Sequence, residues 1–234
     1  MKNKYVFILS ITLISSMLLA LFSEGLKERT ALNKELDKKK NVLQSIGVDI
    51  QGMTQEKLIK SFTQNVKEVT LDISGNIIDN VSHHQLELNI NKINGQAKYE
   101  YLNVEYLPAY ISDSRNAIII PVSGKGLWST LYGYFAVDLT NYSTVKGITF
   151  YQHGETPGLG AEITKDWFKS SFVGKELYLE NELRSISVLK PGQANDADLY
   201  AVDGISGATI TSRGVEDLLK RDLLRYEPFF RKNK

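Results

Sequence analysis

From Tyr5 to Phe22 the chain carries no charged side chain, an apolar run of about 18 residues that is just long enough to span a bilayer as a helix. Lys2 and Lys4 precede it, whereas Lys27, Arg29, Lys34 and the run Lys38–Lys40 follow it. Charge asymmetry therefore leaves its orientation open, since large domains cross membranes regardless of such charges. A cleaved signal peptide is the other reading, but the apolar run is long for one and no small-x-small cleavage site separates it from Glu24. The pattern predicts an uncleaved anchor over residues 1–23. The span itself holds no Asp, Glu, Lys, Arg or His, only Thr12 and a few serines, so it lacks the charged groups of segments that move ions. Beyond it, Leu32, Leu36, Leu43 and Ile46 share a face in a Lys/Glu-rich stretch without proline, which predicts that the helix continues over 24–46. A coiled-coil dimer is the alternative for this stretch, although Lys39 and Lys40 break its heptads.

The pattern then changes, and residues 47–228 read as one folded domain with a short tail at 229–234. Met53 to Val66 has helical periodicity, with Thr54 as a cap and Glu56 in the first turn. Val69–Ile73 and Ile77–Val81 flank Ser74-Gly75-Asn76 as a hairpin would. Leu86–Ile93 alternates like a half-buried strand. Ala117–Val122, Tyr132–Leu139, Val145–Tyr151, Ser185–Leu189 and Leu199–Val202 give further strands, and a last helix carries Val215, Leu218, Leu219, Leu223 and Tyr226 on one face. Short turns between strands and helices gathered at the ends predict an α+β domain with an antiparallel or mixed sheet rather than regular βαβ units.

Composition narrows the chemistry. The 234 residues include 28 basic and 27 acidic side chains, a net charge of +1 that gives no reason to invoke nucleic acid. With no cysteine, disulfides and thiolate metal sites are excluded, and three histidines (His83 and His84 in a predicted loop, His153 apart) do not assemble a metal site.

Three segments carry candidate chemistry. Asp203-Gly204-Ile205-Ser206-Gly207-Ala208-Thr209-Ile210-Thr211 is a small-residue turn running into a helix, where free N–H groups and the helix dipole favour a phosphate. It has neither the lysine of a P-loop nor the glycine spacing of a dinucleotide fingerprint, and it reads equally as a turn that only caps the helix. In Gly124-Lys125-Gly126-Leu127-Trp128-Ser129-Thr130-Leu131-Tyr132-Gly133-Tyr134, Trp128 and Tyr132 offer flat surfaces to an aromatic ligand, or else are ordinary core. In His153-Gly154-Glu155-Thr156-Pro157-Gly158-Leu159-Gly160, Pro157-Gly158 fits a type II turn and the glycines permit close approach to a planar ligand, unless the segment is a plain surface loop.

Asp203 to Thr209 resembles the flavinylation motif D-G-x-[ST]-G-A-T, in which FMN is joined through a phosphoester to the last threonine. With the N-terminal anchor, the basic helix, GKGLWSTLYGY and HGETPGLGAEIT, nearly the whole chain resembles the C subunits of the sodium-translocating NADH:quinone oxidoreductases of bacterial membranes. ETPGLG and SGAT are shared with the FMN subunit of the related Rnf-type ferredoxin:NAD oxidoreductases. The resemblance implies one covalent FMN, attached at Thr209 by a separate flavin transferase and serving as an electron relay to ubiquinone. It implies activity only in the assembled complex with other subunits, and a single-pass inner-membrane protein whose soluble domain is periplasmic. Ser206, Gly207 and Ala208 are expected to shape the turn near the phosphate, with Asp203 and Gly204 supporting it. Glu155, Thr156, Gly158, Leu159 and Gly160, with Trp128 and Ser129, are expected around the isoalloxazine. A membrane-tethered binding protein without flavin is the reading from another class. A serine hydrolase is poorly supported, because no G-x-S-x-G elbow is present.

Overall fold

The computed structural model describes residues 2–195 and 197–234. Helix α1, Lys2–Ser45, is continuous through the apolar run and the basic stretch after it. The chain divides into two compact units, residues 1–38 and 39–234. In the first, side chains from Asn3 to Glu35 are exposed, and this is one helix long and apolar enough to cross a membrane. In the second, the final turns of α1 belong to the domain: Val42 and Leu43 are fully buried, and Ser45 and Ile46 nearly so. Leu43 and Ile46, half of the apolar face that suggested a coiled coil, are thus consumed by the domain itself.

Helix α2, Gln55–Asn65, begins where its cap predicts, with the Thr54 hydroxyl accepting the Lys57 N–H and Glu56 in the first turn. The domain is built on a seven-stranded antiparallel sheet: β1 (Lys67–Asp72), β2 (Glu87–Ile90), β3 (Ala97–Tyr101), β4 (Val104–Ser112), β5 (Ala117–Lys125), β6 (Thr130–Asp138) and β7 (Val145–Gln152). The order is β2-β3-β4-β5-β6-β7, with β1 paired to β4. After β7 come α3 (Asp166–Ser170), the short pair β8 (Tyr178–Leu179) and β9 (Glu182–Leu183), the parallel pair β10 (Ser187–Leu189) and β11 (Ala201–Asp203), and helix α4 (Thr209–Asn233).

Several sequence expectations differ in detail. The turn at Ser74-Gly75-Asn76 forms, held by the Asp72 carboxylate accepting the Ser74 and Asn76 N–H groups. Its second arm makes only an isolated bridge, Leu71 to Ile77, because β1 pairs along its length with β4. The strand at Leu86–Ile93 shortens to Glu87–Ile90 at the sheet edge and leaves Leu88 exposed. Strands β3 and β4 have no counterpart in the sequence reading. Pro108 argues against a central strand, yet there its carbonyl accepts the Tyr226 hydroxyl at 2.7 Å. At the other end α4 does not fray at residue 229: Phe229 and Phe230 are buried past Pro228, continuing the stripe of Leu219, Leu223 and Tyr226.

One face of the sheet buries Ile118, Ile120, Val122, Leu131, Phe135, Val137, Ile148 and Phe150 against Val215, Leu218, Leu219, Leu223 and Tyr226 of α4. The opposite face receives the end of α1 and α2. There Thr149 Oγ1 donates to the Asn41 carbonyl at 3.2 Å, and Phe62 meets Tyr110 edge-on with ring centroids 6.1 Å apart. Helix α4 is also fixed by polar contacts. Buried Asp222 accepts the Ser123 N–H at 2.8 Å, and Arg221 donates to the Ser123 carbonyl. Arg225 donates to the Ala97 carbonyl at 2.8 Å and to Glu105 at 2.6 Å. Burial holds the Asp222 carboxyl above its usual range, with the neighbouring Arg221 opposing that shift.

The seat of α4 is close enough to depend on glycine. A Cβ at Gly214 would run into the Lys125 carbonyl of β5, and one at Gly124 would lie 2.5 Å from Leu218 Cβ. Alanine in place of a helical glycine ordinarily stabilises by up to about 1 kcal/mol. Gly214→Ala is expected to do the reverse, lowering stability by roughly 1–3 kcal/mol through overpacking. Chemical denaturation of the soluble domain checks the sign, and a variant as stable as the parent or more so contradicts the close seat.

Candidate cofactor site

The turn between β11 and α4 is shaped by its small residues. The Gly204 N–H donates to the Leu189 carbonyl at 2.8 Å, and a Cβ at Gly204 would stand 2.6 Å from that oxygen. Gly207 has φ +75°, in the left-handed region that favours glycine. Ile205 and Ala208 are buried in the core, which pins the turn from beneath, whereas Ser206, Gly207, Thr209 and Ile210 are exposed. Thr209 is the first residue of α4. Ala208 at the cap position provides no side-chain hydrogen bond, so the first N–H groups of the helix stay available for an anion.

The hydroxyls near this helix start differ sharply in their commitments. Thr211 is 1% exposed, and its Oγ1 donates to Glu155 Oε2 at 2.6 Å. Ser212 is buried, and its Oγ accepts the Ile205 N–H at 2.9 Å. Ser206 and Thr209 are the exposed ones.

Glu155 is placed differently from a residue lining a ligand. It is buried, and its carboxylate faces protein donors. Oε2 accepts the Leu127 N–H at 3.1 Å as well as the Thr211 hydroxyl, and Oε1 accepts the N–H groups of Trp128 (3.0 Å) and Ser129 (3.1 Å). Desolvation pushes the carboxyl up, but the Thr211 hydroxyl and these three N–H groups outweigh it and hold the group below the usual carboxylate range. The loop Gly126–Ser129 is therefore wrapped around a carboxylate from the segment His153–Gly160, which is itself tied to the first turn of α4. Glycines make the crossing possible: a Cβ at Gly126 would stand 2.6 Å from Glu155 Oε1, and one at Gly160 2.7 Å from Thr211 Oγ1.

Around this centre the remaining predicted residues take distinct positions. Trp128 is 68% exposed, so it is not core. The Ser129 hydroxyl accepts the Gly154 N–H at 2.5 Å, joining the segments Gly124–Tyr134 and His153–Gly160 a second time. Thr156 and Leu159 close the turn over Pro157-Gly158, with the Leu159 N–H donating to the Thr156 carbonyl at 3.1 Å and Gly158 at φ +73°, as a type II turn requires. Leu159 is half-exposed and lies against Gly207, where a Cβ would stand 2.9 Å from its Cδ2. Asp203 spends its carboxylate on backbone donors rather than on a ligand. The Ala194 N–H (2.8 Å) and that of Gln193 (3.0 Å) hold its carboxyl below the usual range, so it braces the loop before β11. Tyr132, half-buried, packs its ring 6.1 Å from that of Tyr151.

Two features were not assigned from sequence. One is the bond from Thr211 to Glu155, residues 56 positions apart. The other is a cleft of about 220 Å³ beside Thr209, whose lining includes Leu189, Lys190, Gly204, Arg213 and Glu216. Its two cations come from different segments, and only the fold brings them together. Among the described residues no cluster of three or more His, Cys, Asp or Glu side chains is placed to hold a metal ion.

Because the folded pKa of Glu155 lies below the unfolded one, its contribution to stability is complete above the unfolded carboxylate range and is lost as pH falls through the folded value. The stability difference between the parent protein and Glu155→Gln is therefore expected to shrink on going from about pH 6 to about pH 3. Denaturant titrations across that range read it, and a difference that stays constant or grows on acidification refutes the ionised, donor-filled carboxylate.

Comparison with known proteins adds a family to this geometry. A family model described as an FMN-binding domain matches residues 126–223, a span that holds Glu155, Thr209 and the loop Gly126–Ser129. The chain is 33% identical over 223 residues to the C subunit of the Na(+)-translocating NADH-quinone reductase of Vibrio vulnificus, covering 89% of this chain and 85% of the relative. It is also 33% identical to the corresponding protein of Yersinia pestis, covering 88% and 82%. The crystal structure of the C subunit from Parabacteroides distasonis superimposes with a TM-score of 0.73 at 30% identity, over 88% of this chain and 96% of that one. NqrC of Shewanella oneidensis superimposes with a TM-score of 0.70 at 25% identity, over 86% and 98%. With sequence and fold agreeing along nearly the whole chain, it belongs to the family of C subunits of the Na(+)-translocating NADH-quinone reductases.

Proposed function

We propose that this chain is a membrane-anchored flavoprotein subunit that relays electrons within a Na(+)-translocating NADH:quinone reductase, through an FMN bonded by its phosphate to Thr209. The observation that carries the attachment point is the state of the hydroxyls. Thr211 and Ser212 are buried and bonded, whereas Thr209 is exposed at an uncapped helix start beside a cleft bearing Lys190 and Arg213. An anionic phosphodiester at that position meets the free N–H groups and positive dipole end of α4. Ser206, Gly207 and Ala208 shape the turn beneath it. Leu127, Trp128, Leu159 and Ile210 are exposed apolar side chains on the segments converging there, a rim suited to a flat aromatic ring. Thr156, Gly158 and Gly160 hold the loop that presents Leu159. FMN, when bound, supplies one- and two-electron redox chemistry, and the protein binds and orients it.

A threonine hydroxyl is a weak nucleophile, and the carboxylates near Thr209 are committed to protein donors, Glu155 to Thr211 and the loop Leu127–Ser129, and Glu216 to the Val188 N–H at 3.1 Å. Attachment is accordingly assigned to a separate flavin transferase. The membrane-crossing helix carries no ionisable group between Tyr5 and Phe22, so ion movement is assigned to other subunits of the complex. The soluble domain is placed on the periplasmic side, by analogy with the family.

Intact-mass analysis of protein made with and without a flavin transferase tests the reading. The expected result is a transferase-dependent gain of one FMN minus water on the peptide holding Thr209: a bond forms from the threonine oxygen to the flavin's phosphorus, the bond from that phosphorus to the oxygen of its leaving group breaks, and the leaving group takes the threonine hydrogen. Thr209→Ala should fold with stability unchanged within about 0.5 kcal/mol, as an exposed substitution does, and should carry no covalent flavin. Flavin retained by Thr209→Ala through denaturing electrophoresis, or no gain in the parent protein, overturns the assignment.

A further inference from the structure

We infer that Glu155 is a positioning residue, whose carboxylate joins the first turn of α4 to the loop Leu127–Ser129 and so sets how Trp128 and Leu159 stand relative to the Thr209 hydroxyl. This rests on the reading of Thr209 as the flavin-bearing residue. Leu127 is 45% exposed and Trp128 68%, so apolar burial supplies little to fix either. The β5–β6 hairpin closes the loop itself, through the Gly126 N–H to the Ser129 carbonyl at 2.8 Å; what ties the loop to the rest of the site is a set of N–H groups converging on one buried anion, and bonds of this kind, between a charged acceptor and neutral donors, are the stronger class.

The same carboxylate takes the Thr211 hydroxyl, two residues beyond Thr209. That bond has two consequences. It fixes the rotation of the first turn of α4, directing Thr211 inward, so that Thr209 and Ile210 face out. It also commits the Thr211 hydroxyl hydrogen, leaving Thr209 as the exposed threonine of this turn. The packing leaves little freedom for a different arrangement. Gly160 is pressed against both Thr211 Oγ1 and Glu155, and Leu159, the residue before it, lies against Gly207. A displacement of the Glu155 carboxylate is thereby passed to the aromatic loop, to Leu159 and to the helix start together.

Charge is part of the arrangement. A glutamine at 155 keeps the shape, but its amide group would replace one acceptor oxygen with a donor. Placed at the Oε2 position it would confront the Leu127 N–H, and placed at Oε1 it would confront those of Trp128 and Ser129. Either choice leaves N–H groups unpaired and removes a negative charge near the cofactor position.

The test uses the full-length, flavin-loaded protein in a Trp167→Phe background, which leaves Trp128 as the sole tryptophan. Glu155→Gln, Thr211→Val and Thr211→Ser are compared by amide hydrogen exchange at residues 127–129, acrylamide quenching of Trp128, the visible absorption bands of the flavin and its midpoint potential. Loss of one such bond is expected to raise exchange at 127–129 roughly ten-fold in Glu155→Gln and Thr211→Val. Both should increase Trp128 quenching and shift the flavin bands, and Glu155→Gln should also move the midpoint potential in the positive direction. Thr211→Ser, which keeps the hydroxyl, should restore the parent values. Should Glu155→Gln fold poorly, Thr211→Val and Thr211→Ser carry the comparison alone. Unchanged exchange at 127–129, unchanged flavin bands or a failure of Thr211→Ser to restore them overturns the inference. A flavin mass in the parent protein that maps away from the Thr209 peptide overturns the attachment reading instead.

Discussion

A buried carboxylate that meets its donors from two other segments is the constraint on which the site depends. Glu155 loses hydration on burial, a cost of several kcal/mol that only well-placed hydrogen bonds offset. Three consecutive N–H groups of one loop and the hydroxyl of Thr211 supply them. Because the donors belong to different segments, satisfying the charge fixes the loop after β5, the loop after β7 and the first turn of α4 with respect to one another. The depressed pKa of Glu155 expresses the same fact, since the environment favours the ionised form despite its burial.

That local closure needs a firm base, and α4 provides it. Its apolar stripe, from Val215 through Leu223 to Phe230, is buried against the sheet. Asp222, Arg221, Arg225 and Tyr226 tie it to backbone groups of β3, β4 and β5. Gly214 and Gly124 let helix and strand approach to backbone contact. The helix therefore cannot slide along the sheet without breaking buried polar contacts, and its N-terminus is held where the small-residue turn emerges. An exposed threonine on a rigidly seated helix is a suitable point for a permanent tether. A group bonded there would inherit the position of the helix, and the protein would need no closure around it to retain it.

The chain combines two kinds of surface. Along residues 3–35 the helix is exposed, with apolar side chains first and charged ones afterwards. From Lys39 onwards the same helix serves a folded domain, with Val42 and Leu43 fully buried. An electron carrier tethered in this way keeps its cofactor domain with a membrane complex.

Local rules sufficed for much of this chain. The apolar run, the Thr54 cap, the apolar segments of β5 to β7 and the stripe of α4 are each specified within a few neighbouring residues, so they were legible in order and nearly in extent. The Pro157-Gly158 turn and the left-handed Gly207 were legible for the same reason, because backbone conformation there is set by residue type. Strands β3 and β4 were not, since Pro108 contradicts a strand locally and is accommodated only by partners far along the chain. Nor was the pairing of β1 with β4, which competes with the hairpin that its own turn suggests. The site divides the same way. Its motif residues could be read from their resemblance to a flavinylation sequence, but Glu155 faces inward and Thr211 is its partner. That distinction depends on which donors the folded chain brings to one carboxylate from positions 26 to 56 residues away. Sequence determined the anchor, most of the elements and the family. Tertiary structure decided which hydroxyls stay exposed and which are spent in holding the site, because burial and hydrogen bonding between distant segments exist only once the chain has folded.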